Sequence, residues 1–174
     1  ELIEKNVKDS KVKEGLNKIK VVIMGLKEGS AAPKVSLKTQ DGKDASTADF
    51  KGKPTVVMFY ASWNPMIADR VVPSLKEVSD FYKSKVDFAF VNMDDTDAQF
   101  KKTSAALLKG ISGKNYYAVD GLNSDVAKEY GVYGFKLPSF VIIGADNKIA
   151  SRSLYNLGDP DFITALQKLT GLRP

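Results

Sequence analysis

The order of predicted strands and helices indicates an α/β protein with a central mixed sheet and helices on both faces. Two continuous apolar runs, Thr55–Tyr60 and Val86–Met93, predict buried strands, and each is followed by a helical segment that would carry the chain across to a parallel neighbour. Later in the chain, Phe140–Ile143 and Lys148–Ser153 flank Asp146-Asn147 and predict an antiparallel hairpin. Parallel and antiparallel pairs together make the sheet mixed, with helices on both faces.

Residues 1–25 are expected to form a helical extension or linker, and residues 26–174 a single domain. The apolar residues of the first 20 positions recur at mostly helical spacing, although Gly15 weakens a helix. We interpret the short apolar run Val21–Met24 as a strand.

A small β-hairpin is predicted before the first buried strand. Val35, Leu37 and Thr39 alternate with polar residues up to Asp41-Gly42, a dipeptide typical of a tight turn. A second turn is predicted at Lys51-Gly52-Lys53-Pro54.

Capping residues predict where the helices begin. The spacing of apolar residues from Asn64 to Lys83 is helical, and Pro73 within it should kink the helix or shift its start. Further helix starts are predicted at Asp95 or Thr96, at Asn123 or Ser124, and at Asp159-Pro160. Gly131 and Gly171 are expected to end the last two of these helices.

The composition excludes several kinds of chemistry. The 174 residues include no cysteine and no histidine. Without cysteine there is no thiolate nucleophile, disulfide, thiolate-ligated zinc or iron–sulfur cluster. Without histidine the Ser-His and Cys-His nucleophile pairs are missing as well. Any catalysis would therefore have to use carboxylate, lysine or tyrosine side chains, and the chain can equally be without catalytic activity. We predict no cofactor.

The charge distribution points to a solvated surface. The net charge of +5 is spread along the chain, and acidic residues interrupt the lysines of the N-terminal segment, where no arginine or aromatic residue is interleaved. We therefore predict no nucleic-acid partner.

The motif Asp94-Asp95-x-Asp97 lacks the glycine and glutamate of a calcium loop, so we interpret it as helix capping and predict no metal site.

Several segments in a particular order carry a family resemblance. They are Gly29–Pro33, Asp41-Gly42-Lys43, Phe50–Pro54, Val56–Trp63 and Tyr130–Phe140. Over residues 29–170 the chain resembles the thioredoxin superfamily, and more narrowly the exported thiol–disulfide oxidoreductases of the TlpA and ResA type. The chain resembles the peroxiredoxins of the AhpC/TSA group more distantly. The resemblance implies a thioredoxin-like three-layer fold and a cis peptide bond before Pro138.

The chain departs from this family where the family has Trp-Cys-x-x-Cys. Here the sequence reads Trp63-Asn64-Pro65-Met66-Ile67. Counted from the tryptophan, Asn64 and Ile67 replace the two cysteines; counted back from Pro73, the replacements are Pro65 and Ala68. The two counts differ by one residue, which suggests an insertion. The resemblance places a proton-accepting aspartate at Met58 and a peroxiredoxin threonine at Ala61, and neither is present.

The resemblance implies a surface patch made of Trp63, Pro65, Met66, Tyr133, Phe135 and Pro138. We expect a redox-inactive domain that binds a protein or peptide there, helped by strand-like hydrogen bonds from the backbone before Pro138. In the opposing interpretation, Ile67 and Phe135 are core residues and Trp63 only covers them. Two further hypotheses are a residual non-redox enzymatic role and a structural role beside an upstream domain.

The cellular location follows from the resemblance alone. Relatives of the TlpA and ResA type are usually exported and often membrane-anchored. We therefore expect an extracytoplasmic protein, in the periplasm or attached to a membrane through an N-terminal anchor outside this sequence.

Overall fold

A computed structural model describes residues 5–173, apart from the side chains of Lys18 and Val22. Leu2 and Ile3, which belong to the predicted N-terminal apolar pattern, lie outside the described residues. Seven strands are present in the described residues: β1 Ser36–Thr39, β2 Asp44–Ser46, β3 Thr55–Tyr60, β4 Asp87–Asn92, β5 Lys114–Tyr117, β6 Ser139–Ile143 and β7 Ile149–Leu154.

The strands form one mixed sheet in the order β2-β1-β5-β4-β3-β6-β7. Strand β4 is parallel to both β3 and β5, whereas the remaining pairs are antiparallel. All six residues of β3 are buried, as its continuous apolar sequence predicts for a strand covered on both faces. The predicted mixed sheet and N-terminal hairpin are therefore confirmed.

The described α-helices are α1 Ser10–Met24, α2 Val72–Tyr82, α3 Asp97–Leu107, α4 Asp125–Tyr130 and α5 Pro160–Thr170. The side chains of Thr96, Ser124 and Asp159 accept hydrogen bonds from the first backbone amides of α3, α4 and α5. The helices α4 and α5 end at Gly131 and Gly171, both in the left-handed conformation. The predicted caps are confirmed.

The predicted strand at Val21–Met24 is wrong, because α1 continues through these residues. Asp9 caps the helix, and the Gly25 amide donates to the Val21 carbonyl oxygen at 2.7 Å before the chain turns away with a φ of 72°. A four-residue apolar run does not distinguish a strand from the end of a helix. The helical spacing that begins at Val12 outweighs Gly15 and carries the helix to Met24.

Each face of the sheet has its own hydrophobic core, because successive side chains of a strand point to opposite faces. Phe59 packs on the face covered by α4, together with Val126 and Tyr130. Met58 packs on the other face with Leu75 of α2 and Phe162 of α5. The three-layer arrangement follows from this alternation. No helix within residues 5–173 is both long and apolar enough to cross a bilayer.

Candidate functional site

The candidate site lies where the C-terminal end of β3 meets the start of β6. These two strands are antiparallel neighbours, with Phe59 opposite Ser139. The loop that follows Tyr60 is therefore held beside the loop that precedes Ser139. The Leu137–Pro138 peptide bond in this second loop is cis, as the resemblance implies. The site thus joins the two segments in which the sequence places the former cysteine positions and the cis-proline.

Asn64 connects the two loops through its side-chain amide. Its Nδ2 donates to the carbonyl oxygen of Leu137 at 2.9 Å, and its Oδ1 accepts from the Met66 amide at 3.0 Å. The Asn64 amide also donates to the Ala61 carbonyl oxygen at 3.1 Å. Asn64, which replaces a cysteine of the family pattern when counted from Trp63, therefore has a structural role. It also occupies the Leu137 carbonyl that was expected to be offered to a bound peptide.

Ile67 is fully buried and begins a π-helical turn that runs to Val71. Its amide donates to the Asn64 carbonyl oxygen at 3.1 Å. A π-helical turn contains one more residue than an α-helical turn, and such turns often occur at functional sites. Pro73 follows as the second residue of α2, directly after the π-helical turn. The helical backbone thus changes its hydrogen-bond pattern just before the proline.

Beside the buried Ile67 lies a surface that we call the aromatic patch, formed by Trp63, Pro65, Met66, Tyr133 and Phe135. Trp63 is 55% exposed and Phe135 is 73% exposed, so the expectation that Phe135 is a core residue is wrong, while that for Ile67 is confirmed. The rings of Tyr133 and Phe135 stack with centroids 6.2 Å apart.

Gly134 brings the two halves of the aromatic patch together. A Cβ atom at this position would lie 3.7 Å from Cη2 of Trp63, so the indole ring lies close to the backbone between Tyr133 and Phe135. Pro138, which was expected in the patch, is buried instead. The reason is its place directly before β6, a strand between β3 and β7, where its carbonyl oxygen accepts from the Tyr155 amide at 2.9 Å.

Tyr155 is part of the site, although no motif in the sequence points to it. It follows β7 with a positive φ of 64°, and its hydroxyl donates to the carbonyl oxygen of Phe135. Met66, Arg70 and Tyr155 line a shallow cleft beside the aromatic patch. Tyr155 therefore holds the Phe135 loop in place and extends the exposed surface.

Asp94 supports the site from within the protein and is fully buried. Its Oδ1 accepts from the Ser62 amide at 2.8 Å, and its Oδ2 accepts from Nδ2 of Asn92 at 2.9 Å. The expectation that Asp94 serves in helix capping is therefore wrong, because the cap of α3 is Thr96. The carboxylate instead ties the end of β4 to the residue before Trp63, and this contact gives Asn92 a function that its sequence context does not show.

The charged residues near the aromatic patch do not form a catalytic cluster. Asp69 and Arg70 are both exposed on the π-helical turn, which fits a solvated helix face. Asp97 forms an ion pair with Lys101 at 2.6 Å on α3. Within residues 5–173, no three acidic side chains are grouped so as to hold a metal ion. The chain has no thiol or imidazole, and the side chains described at the site supply aromatic and aliphatic surface, an amide, a hydroxyl and a guanidinium group.

Comparisons with known proteins agree with this architecture. The profile of the family described as Redoxin matches residues 27–166. A chloroplastic peroxiredoxin Q from Gentiana triflora is 32% identical over 128 residues, which are 74% of this chain and 46% of that protein. The thiol-disulfide oxidoreductase ResA of Bacillus thuringiensis subsp. konkukian is 29% identical over 122 residues, covering 70% of this chain and 66% of the relative.

A solved structure shows the same fold. The thioredoxin domain of a thiol-disulfide oxidoreductase from Bacteroides vulgatus superposes with a TM-score of 0.68 at 21% identity, and the match covers 83% of this chain and 99% of that one. The thioredoxin-like fold expected from the resemblance is thereby confirmed. The chain spans about half the length of the peroxiredoxin Q relative.

Proposed function

Because the chain belongs to the Redoxin family and yet contains no cysteine, we propose that it binds a peptide segment at the aromatic patch without thiol–disulfide chemistry. The observation that carries this proposal is the exposure of Trp63 and Phe135, two large aromatic side chains on neighbouring loops at the end of the sheet. Exposed apolar patches of this kind are typical of interaction sites.

The absence of redox chemistry follows from the residues that surround the former cysteine positions. Thiol–disulfide exchange requires a thiolate as the attacking group, and neither Asn64 nor Met66 supplies one. The buried Met58 provides no carboxylate to accept a proton. We expect no reduction of insulin disulfides above the buffer rate, and measurable turnover by pure protein would contradict the proposal.

We further propose that Asn64 and Ile67 are the positions of the lost cysteines, and that the extra residue lies downstream of them. The contact between Asn64 and Leu137 beside the cis-proline supports this register, as does the π-helical turn that accommodates one more residue before Pro73. The Asn64→Cys/Ile67→Cys variant should form a disulfide more readily than Pro65→Cys/Ala68→Cys. The reverse order would contradict this register.

The geometry of the aromatic patch favours a peptide as the ligand. The rings of Tyr133 and Phe135 are stacked, and aromatic side chains have few rotatable bonds, so little conformational entropy is lost when a partner covers them. Hydrogen bonds from Asn64 and Tyr155 fix the two loops that carry these rings. A preformed aromatic surface beside a shallow cleft fits an extended segment with apolar side chains.

The experiment is selection of binding peptides from a displayed random library on the folded protein, followed by fluorescence anisotropy with a selected peptide. Trp63→Ala and Phe135→Ala should each weaken binding about 30-fold or more, because interface aromatics contribute about 2 kcal/mol or more. Phe81→Ala is the matched control, since Phe81 is an exposed phenylalanine near the far end of α2. Unchanged affinity in both patch variants would contradict the proposal.

We also propose that the protein acts outside the cytoplasm. The resemblance to the TlpA and ResA type supports this location. Fractionation of the source organism with an antibody to the protein tests it, and recovery only with cytoplasmic markers would contradict it.

A further inference from the structure

Helix α1 presents its apolar side to solvent and its more polar side to the rest of the protein. Asn17 and Val21 are partly buried on the side that faces α4, whereas Ile19 is 54% exposed and Ile23 is 72% exposed. At Gly131, the end of α4, a Cβ atom would lie 2.7 Å from the Val21 carbonyl oxygen. The close approach of the two helices at this glycine fixes which side of α1 remains outside.

The exposed side of α1 has the spacing of a helix-pairing surface. Val12, Leu16, Ile19 and Ile23 follow one another at intervals of four, three and four residues, and we call this row the α1 seam. Three of the four are exposed and Leu16 is partly buried. Alternation of three and four residues places apolar side chains in one narrow stripe, as in the contact face of a coiled coil.

The charges beside the α1 seam are positive. Lys20 flanks one edge and Lys11 lies toward the other, and both are exposed. Glu14 is on the side of α1 that faces α4, away from the seam. In a paired helix, residues next to the apolar stripe select the partner by charge. The exposed lysines beside the α1 seam therefore favour a partner helix whose apolar stripe is bordered by acidic residues.

We propose that the α1 seam binds an amphipathic helix of a partner protein whose apolar stripe is flanked by glutamate or aspartate. A second copy of this chain fits less well, because it would bring the same exposed Lys20 to the interface and, within Ser10–Met24, no acidic residue beside the seam. A bilayer also fits less well, because the seam is narrow and carries no aromatic residue. This binding surface is separate from the aromatic patch.

The probe is a synthetic helical peptide of about 21 residues with leucine in the stripe and glutamate beside it. A second peptide carries lysine in place of each glutamate. Both are titrated by fluorescence anisotropy against the native protein, the Ile19→Ser/Ile23→Ser variant and the Lys20→Glu variant. Leu169→Ser is the matched control, because Leu169 is an exposed aliphatic residue on another helix, α5. Circular dichroism confirms that each variant is folded.

The glutamate peptide should bind at least tenfold more tightly than the lysine peptide. Its binding should be lost in the Ile19→Ser/Ile23→Ser variant, weakened in Lys20→Glu and retained in Leu169→Ser. Equal binding of the two peptides, or no binding of either, would overturn the proposal. Sedimentation as a dimer that depends on Ile19 and Ile23 would assign the seam to a second copy. Seam-dependent binding to vesicles of equal parts phosphatidylglycerol and phosphatidylcholine, without peptide binding, would assign it to a membrane.

Discussion

The aromatic patch and the α1 seam are both exposed apolar surfaces, but they differ in what holds them. The patch rests on two loops that a side-chain hydrogen bond from Asn64 joins. Tyr155 holds the second loop, and the buried Asp94 supports the first. The seam belongs to one helix, whose shape depends on its own backbone. Side chains beneath the patch should therefore determine stability, whereas those on either surface should determine binding.

The greatest loss of stability is expected from Ile67, which lies directly below the aromatic patch. Ile67→Ala removes a fully buried side chain, and the resulting cavity should lower the free energy of unfolding by about 2–5 kcal/mol. Urea denaturation measures the change. Trp63→Ala, at an exposed position of the same loop, should stay within about 0.5 kcal/mol. Similar losses in the two variants would show that the patch is part of the core.

Asp94→Ala should be the next most destabilising change. It leaves the Ser62 amide and the Asn92 side-chain amide without their buried acceptor, at a cost of about 2–3 kcal/mol in unfolding free energy. Asp95→Ala, at the exposed neighbouring carboxylate, should be almost neutral in the same denaturation experiment. If both variants unfold alike, the support of the patch by Asp94 is refuted.

Asn64→Ala should cost about 1–2 kcal/mol, because it removes the hydrogen bonds to Leu137 and Met66. Asn64→Asp retains an acceptor for the Met66 amide but loses the donor to the Leu137 carbonyl. Comparison of the two variants therefore shows how much each hydrogen bond contributes. We expect both variants to weaken peptide binding as the two loops move apart, which anisotropy with the selected peptide measures. Undiminished binding by a destabilised Asn64→Ala would show that the amide is not needed to shape the patch.

The smallest effect on stability is expected on the α1 seam. Ile23→Ala should change the free energy of unfolding by less than about 0.5 kcal/mol, because the side chain is already 72% exposed. Val21→Ala, on the partly buried side of the same helix, should cost more. Thermal unfolding of the two variants tests the orientation of α1, and the opposite order would place the seam against the protein.

Local signals in the sequence predict much of the fold. The cap at Asp159 with Pro160 after it and the glycine at position 131 depend only on neighbouring backbone, and both are observed. The strand predicted at Val21–Met24 is wrong, because four apolar residues fit a helix equally well. The secondary structure of such a short apolar run can be assigned only together with the residues on either side of it.

The internal support of the site could not be predicted from the sequence, because it depends on residues far apart in the chain. Asp94 reaches back 32 positions to Ser62, and Asn64 reaches 73 positions ahead to Leu137. Tyr155 reaches Phe135 because the pairing of β6 with β7 places the end of β7 beside the loop that precedes β6. The location of the site could be predicted because its residues match a family pattern, whereas its hydrogen bonds depend on how distant segments of the chain come together.

The fluorescence of Trp63 reports on peptide binding at the aromatic patch without any mutation, because Trp63 is the single tryptophan of the chain and lies within the patch. The free protein should show the long-wavelength emission of a solvated indole and strong quenching by acrylamide. Saturation with a selected peptide should shift the emission to shorter wavelengths and protect it from the quencher. An indole that is already protected in the free protein, or one that does not respond to a bound peptide, would contradict binding at the patch.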